Sequence, residues 1–258
     1  MSDLAVDRTR ANRTYWLLVA LLALLSGMAV LLPGTGGPTG MPGAQELPAP
    51  RPVMALVTLV GIATVYGGLG YLGLRAVRAV DFAGIWDEGV SARQRFALPA
   101  TLGVLLGLLF IAVDNLLAAH NGIGALPHPP FPISVVASIT AAIGEEIIFR
   151  LFLVGGGYWL LSRLVKTPRG REGVFWAVAL FSAGAFTSAH LPSFLYLVGE
   201  GDPASASLAP ILLLELLIMN GFLSLVAAVL LRRYGLLAAI GVHFWVDIFW
   251  HVIWGGMQ

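Results

Sequence analysis

The sequence predicts an all-α, polytopic transmembrane helical bundle of about seven spans with its N-terminus inside. Three observations predict it. Of 258 residues, 58% are hydrophobic and only 11% are charged, where a soluble domain carries about 25% charged residues. Mean hydropathy is +0.85. The chain also breaks into apolar runs near the roughly 20 residues a helix needs to cross a hydrocarbon core of about 30 Å.

The runs follow in order. Arg8, Arg10 and Arg13 precede the first, Trp16–Leu32. This start resembles a signal peptide, but no clear small-residue cleavage site follows and more spans come after. It reads as an uncleaved first span that extends to either side. The Pro/Gly-rich stretch Pro33–Pro50 reads as an external linker. The next runs are Pro52–Leu74, Phe96–Ala119, Pro132–Leu161, Val174–Val198, Leu208–Leu231 and Gly235–Trp254. The fourth is too long for one straight crossing, and Gly155-Gly156-Gly157 offers a break. Pro192 is expected to bend or end the fifth just past it.

The connections sort by charge. Arg75, Arg78, Arg93 and Arg95 follow the second run; Arg163, Lys166, Arg169 and Arg171 follow the fourth; Arg232 and Arg233 follow the sixth. The opposite side carries Arg51. Short loops rich in Lys and Arg stay in the cytoplasm, so the C-terminus is outside and the protein is a multi-pass protein of the cell membrane. The inner stretch Asp81–Arg95, with Phe82, Ile85 and Trp86 among its charges, reads either as an interfacial amphipathic helix or as a solvated loop. No internal repeat is present. The division is an N-terminal segment, 1–95, with two spans and this loop, and a membrane core, 96–258.

Net charge is +1 and there is no cysteine. The first gives no field to gather nucleic acid. The second excludes disulfides, a cysteine nucleophile and thiolate metal sites. The expected partners are membrane lipid and a membrane-associated peptide or protein. Oligomeric state is left open.

Several ionisable residues fall inside the spans: Asp114, Glu145, Glu146, Arg150, His190, Glu215, His243, Asp247 and His251. A charge at mid-bilayer costs about 2.5–3.5 kcal/mol on insertion scales, so such residues pair, neutralise or line a wet cavity, and they mark function by default. Two structural readings compete: helix–helix glue, and snorkelling near a helix end, which suits His251 and Asp114. Glu146 and Arg150, four apart, share a helix face and can pair. Glu145 points about 100° away and is left for chemistry. His190 has no carboxylate on its own helix and must look to another span. His243, Asp247 and His251 form one stripe. They suit a direct hydrogen bond, a packing pair or zinc. Counted from the inner helix ends, His243 lies about 12 Å deep and His190 about 24 Å.

Three patterns then stand in order: Glu145-Glu146-Ile-Ile-Phe-Arg150, Phe186-Thr-Ser-Ala-His190 and His243-Phe-Trp-Val-Asp247. Together they resemble the EExxxR, FxxxH and HxxxN/D motifs of the CPBP family of intramembrane proteases. That family includes the type II CAAX prenyl endopeptidases and the bacterial abortive-infection relatives. The resemblance covers about residues 96–254. It implies an intramembrane glutamic-type endopeptidase without a cofactor. Glu145 and His190 would activate a water, His243 and Asp247 would hold the carbonyl oxygen as it becomes negative, and Glu146 and Arg150 would support the site. Leu151 departs from the small residue that often follows the Arg. Asp247 departs from the cleaner donor Asn. An ionised carboxylate there would repel the oxyanion, so Asp247 either carries a proton or orients His243. The substrate would arrive from the cytoplasmic side or laterally. A zinc-dependent variant lacks the usual HExxH spacing. The alternatives are a catalytically silent scaffold of the same fold and a small proton-coupled transporter. The transporter would show paired broken helices in two similar halves, and no such symmetry is visible. Glu215 and Asn220 are unassigned under each of these readings, and they are expected to line the cavity or bond across helices.

Overall fold

The structure, a computed structural model, describes residues 3–32, 48–199, 202 and 207–258, with side chains from residue 8 onward. The described residues are helical or in turns and loops. The helices are α1 (Asp3–Leu31), α2 (Arg51–Val77), α3 (Leu98–Leu117), α4 (Ile133–Glu145), α5 (Gly157–Ser162), α6 (Pro168–Val198), α7 (Pro210–Tyr234) and α8 (Leu236–Asp247). Among the described residues, three π-helical segments join or extend them: π1 (Arg93–Ala97) leads into α3, π2 (Glu146–Gly156) links α4 to α5, and π3 (Ile248–Trp254) continues α8. Six helices among the described residues are long and apolar enough to cross a membrane, in the places the sequence indicates for six of its runs. The seventh run is α4, π2 and α5, helical without interruption over residues 133–162.

The chain traces a bundle in which α1 pairs with α2, α2 with π2, α3 with α8, and α7 with both α6 and α8. Without water to solvate the backbone, helix–helix contact relies on small residues that let backbones meet. Gly73 shows how close this is. A Cβ there would stand 2.4 Å from the Leu151 carbonyl oxygen. On the facing segment, a Cβ on Gly155 would meet Val77 Cγ1 at 2.5 Å. This explains why the glycine triplet is not the expected break. Gly155 packs on α2 and Gly157 on Val178 of α6, and the length of the fourth span is absorbed in π2. Pro192 likewise does not end its helix, because α6 runs on to Val198.

One further expectation changes. The 81–92 stretch is neither an interfacial helix nor a solvated loop. Its backbone is turns, yet Phe82 and Ile85 are buried, and Phe82 stacks on Tyr158 with ring centroids 5.0 Å apart. Trp86 caps this inner end, beneath the guanidinium of Arg10 at 4.0 Å and with its indole N–H donated to Thr14. The first span extends beyond its apolar run, as the sequence indicates, since α1 begins at Asp3. The linker expected over Pro33–Pro50 lies outside the described residues except for 48–50.

Candidate active site

The helix α4 ends where the first motif begins. Glu145 is its last residue, and Glu146 and Arg150 lie in the first turns of π2. The pair forms within this one helix: Arg150 Nε is 3.2 Å from Glu146 Oε2, and both side chains are fully buried. The Arg150 guanidinium also lies over the ring of Phe186, 4.3 Å from its centroid. An aromatic face is a partner for a desolvated cation.

His243, on α8, completes the arrangement. Its Nδ1 is 2.8 Å from Glu146 Oε1. A carboxylate only accepts, so Nδ1 carries the hydrogen and donates it to Glu146. Glu146 thus spends one oxygen on Arg150 and the other on His243. The remaining ring nitrogen, Nε2, faces two other carboxylates, 3.6 Å from Glu145 Oε2 and 3.6 Å from Asp247 Oδ2. The two adjacent acids are therefore unlike. Glu146 is sealed, while the Glu145 side chain keeps 30% exposure.

Glu145 opens onto a cavity of about 390 Å³ that His190, His243 and Asp247 also line. His190 reaches it from α6. Its Nδ1 bonds the carbonyl of Phe186 on its own helix at 2.8 Å, so the partner expected from another span is replaced by its own backbone. Donation to that carbonyl turns Nε2 into the free nitrogen. The Phe186 ring stands between the two histidines, 4.9 Å from the ring of His190 and 6.0 Å from that of His243. The structure thus gathers all six residues singled out in the sequence around one chamber or its floor.

Asn220, one of the two unassigned residues of the sixth run, lines the same cavity, as do Tyr66 and Thr140, which were not foreseen. His128, from the loop 118–132, approaches His251 with the two Nδ1 atoms 3.1 Å apart. One nitrogen must donate and the other accept, so the pair shares a single proton there. Burial pushes His128 down to about 4. His251 therefore lines the cavity and faces a loop histidine, which is not snorkelling. Asp114 does not snorkel either: it is 1% exposed and accepts the Leu126 amide at 2.9 Å. Glu215, fully buried, accepts from Asn121 Nδ2 at 2.8 Å. Asn121 in turn accepts the amides of Ile123 and Gly124 at 3.0 and 2.9 Å. Sequence gave no sign of the link between Asn121 and Glu215, which joins positions far apart in the chain. Among the described residues, no group of three His, Asp or Glu side chains is arranged to hold a metal ion.

A family model described as type II CAAX prenyl endopeptidase Rce1-like matches residues 127–249. The stretch contains all three motifs. This segment is similar to that family. The finding agrees with the resemblance read from the motifs, and the long apolar helices among the described residues make the protein a multi-pass membrane protein. No curated protein and no solved structure matches the chain.

Proposed function

We propose that the protein is a glutamic-type endopeptidase of the cell membrane, cutting membrane-associated proteins or peptides with a water activated by Glu145 and His190. The observation that carries this reading is the difference between the two adjacent acids. Glu146 has both oxygens engaged inside the bundle, whereas Glu145 faces the cavity within reach of His243. A general base must reach the proton it removes, so Glu145 is the acid placed for that role.

The step follows. Glu145, aided by the free Nε2 of His190, takes a proton from the water as its oxygen attacks the scissile carbonyl carbon. The carbonyl π electrons move onto oxygen. His243 Nε2, carrying a proton, donates to that oxyanion, in a site where a fixed donor is worth more than in water. The tetrahedral centre then collapses, the C–N bond breaks, and the amine leaves with the proton held by Glu145. Glu146 fixes the ring of His243 through Nδ1, Arg150 fixes Glu146, and Phe186 backs Arg150. Asp247, 3.6 Å from Nε2, orients His243 as a positioning residue, which accommodates its departure from Asn. No cofactor is part of this scheme.

The test is cleavage of a membrane-peptide library by purified protein, comparing wild type with Glu145→Gln, with and without chelator. Chelator-resistant cleavage that Glu145→Gln abolishes is the expected result. Chelator-sensitive cleavage moves the chemistry to a metal. Equal cleavage by both proteins overturns the role of Glu145. A wild type that cuts nothing favours the silent scaffold.

A further inference from the structure

The two ends of the bundle differ in charge and in closure. Apart from Arg51 and the buried Arg150, every Lys and Arg belongs to one end. The structure brings these segments together there: Arg232, ending α7, pairs with Glu172, opening α6, at 2.7 Å, and Arg78, after α2, donates to Asn12 on α1 at 2.8 Å. By the positive-inside rule this end is cytoplasmic. At the other end Arg51 donates to the Leu32 carbonyl, and the loop 118–132 rests on π3 through His128.

The cavity lies in the half away from the cations. Its walls include Ala137 and Thr140 near the start of α4, Ala189 and Ser193 near the end of α6, and Pro127 and His128 of the outer loop. Glu145 is among its deepest groups, about 18 Å from the outer start of α4 at 1.5 Å per residue. Below it the bundle is closed. Glu146, Arg150 and Phe186 form a buried floor, and beneath them Phe82, Tyr158 and Phe175 fill the core down to the inner loop. Ala189 is exposed on the outer side of that floor. The walls are largely apolar, and no Lys or Arg lines the cavity among the described residues. A free C-terminal carboxylate would find no cation there and would face Glu145 and Asp247.

We infer that the cavity opens to the non-cytoplasmic side, and that its substrates are apolar segments cut at internal peptide bonds on that side or in the outer leaflet. The substrate half of this inference rests on the protease reading; the access half does not. It replaces the cytoplasmic approach expected from the sequence with access through the opposite face.

The chain has no cysteine, so a single introduced thiol reports without background. Full-length Ala189→Cys is expressed in a bacterial cytoplasmic membrane and treated with a charged, membrane-impermeant maleimide, in intact cells and in inverted vesicles. Lys166→Cys marks the inner end and Met257→Cys the outer. Labelling of Ala189→Cys and Met257→Cys in intact cells, with Lys166→Cys labelled only in inverted vesicles, is expected. Labelling of Ala189→Cys from the inner side alone, or from neither side, overturns the inference. A second arm uses single-span reporters carrying one apolar test segment on the outer or the inner side. Cutting of the outer-side reporter alone is expected, and cutting of the inner-side reporter alone overturns the substrate assignment. If neither reporter is cut, the protease reading fails while the labelling still decides the access side.

Discussion

Two clusters of buried acid occupy this bundle, and they are built on different principles. Glu145, Glu146 and Asp247 surround His243, with Arg150 behind them. Asp114 and Glu215 are tied instead to the loop 118–132, through the Leu126 amide and the Asn121 side chain. In the first cluster acids meet basic side chains, and one of them, Glu145, keeps a face on a cavity. In the second, a neutral N–H donor reaches one oxygen of each acid, Glu215 Oε1 is left without a hydrogen bond, and both side chains are closed off from solvent. An ionisable residue in a membrane helix is therefore not by itself a sign of chemistry. The sign is a carboxylate whose neighbours are engaged but which is itself left open.

The comparison breaks most sharply in activity. Glu145→Gln is expected to lower kcat by about 10²–10⁴-fold, the usual contribution of a positioned base, with little change in melting temperature. Glu215→Gln is expected to leave kcat nearly unchanged. Steady-state cleavage beside thermal denaturation in detergent reads both, and equal loss of activity in the two variants would erase the distinction. The next effect lies in stability. Arg150→Met leaves the buried Glu146 without its cation and is expected to cost about 3–5 kcal/mol. Adding Glu146→Gln should restore part of that loss, a coupling that a double-mutant cycle measures.

A smaller effect is expected in the second cluster. Asn121→Ala strips Glu215 and two loop amides of their partner, at about 1–3 kcal/mol. Limited proteolysis should then cut within 118–132 sooner than in wild type, with the motif helices untouched. Smallest is the response to acid. His128 binds its proton less readily when folded, at about 4, than the ordinary 6.5. The unfolded chain then binds more protons between these values, so its contribution is present above about 6.5 and is lost as pH falls toward about 4. Proteolysis of the loop should quicken over that window, and His128→Gln should flatten the dependence.

Much of this was legible in the sequence, and the reasons are physical. The spans and the cationic end follow from the cost of placing Arg in hydrocarbon, which needs no knowledge of neighbours. The ion pair of Glu146 with Arg150 follows from spacing within one helix. The motif order led to the family that residues 127–249 match. What escaped depends on contacts between distant segments. The bond from His243 to Glu146 shows the second acid serving two bases, where spacing indicated one. Asn121 meets Glu215 only because the loop folds back onto α7. Phe82 and Ile85 looked like residues of a surface stretch and are core, because the inner ends of α5 and α6 leave room for them. Gly155 looked like a hinge and is a contact, since flexibility and close approach both select glycine.

The π-helical segments carry a consequence for how the chain tolerates change in length. The segments π2 and π3 begin directly after Glu145 and Asp247. Their i→i+5 bonding fits extra residues between fixed ends. Upstream, α4 aims Glu145 at the cavity; downstream, α5 aims Tyr158 at Phe82 and Phe175. Removing one residue from π2 would rotate one half against the other about the helix axis. Either the acid or the aromatic seal would then face the wrong way. Swapping residues along this stretch is a matter of fit, but changing their number alters the phase between the chemistry and the plug that closes its inner end.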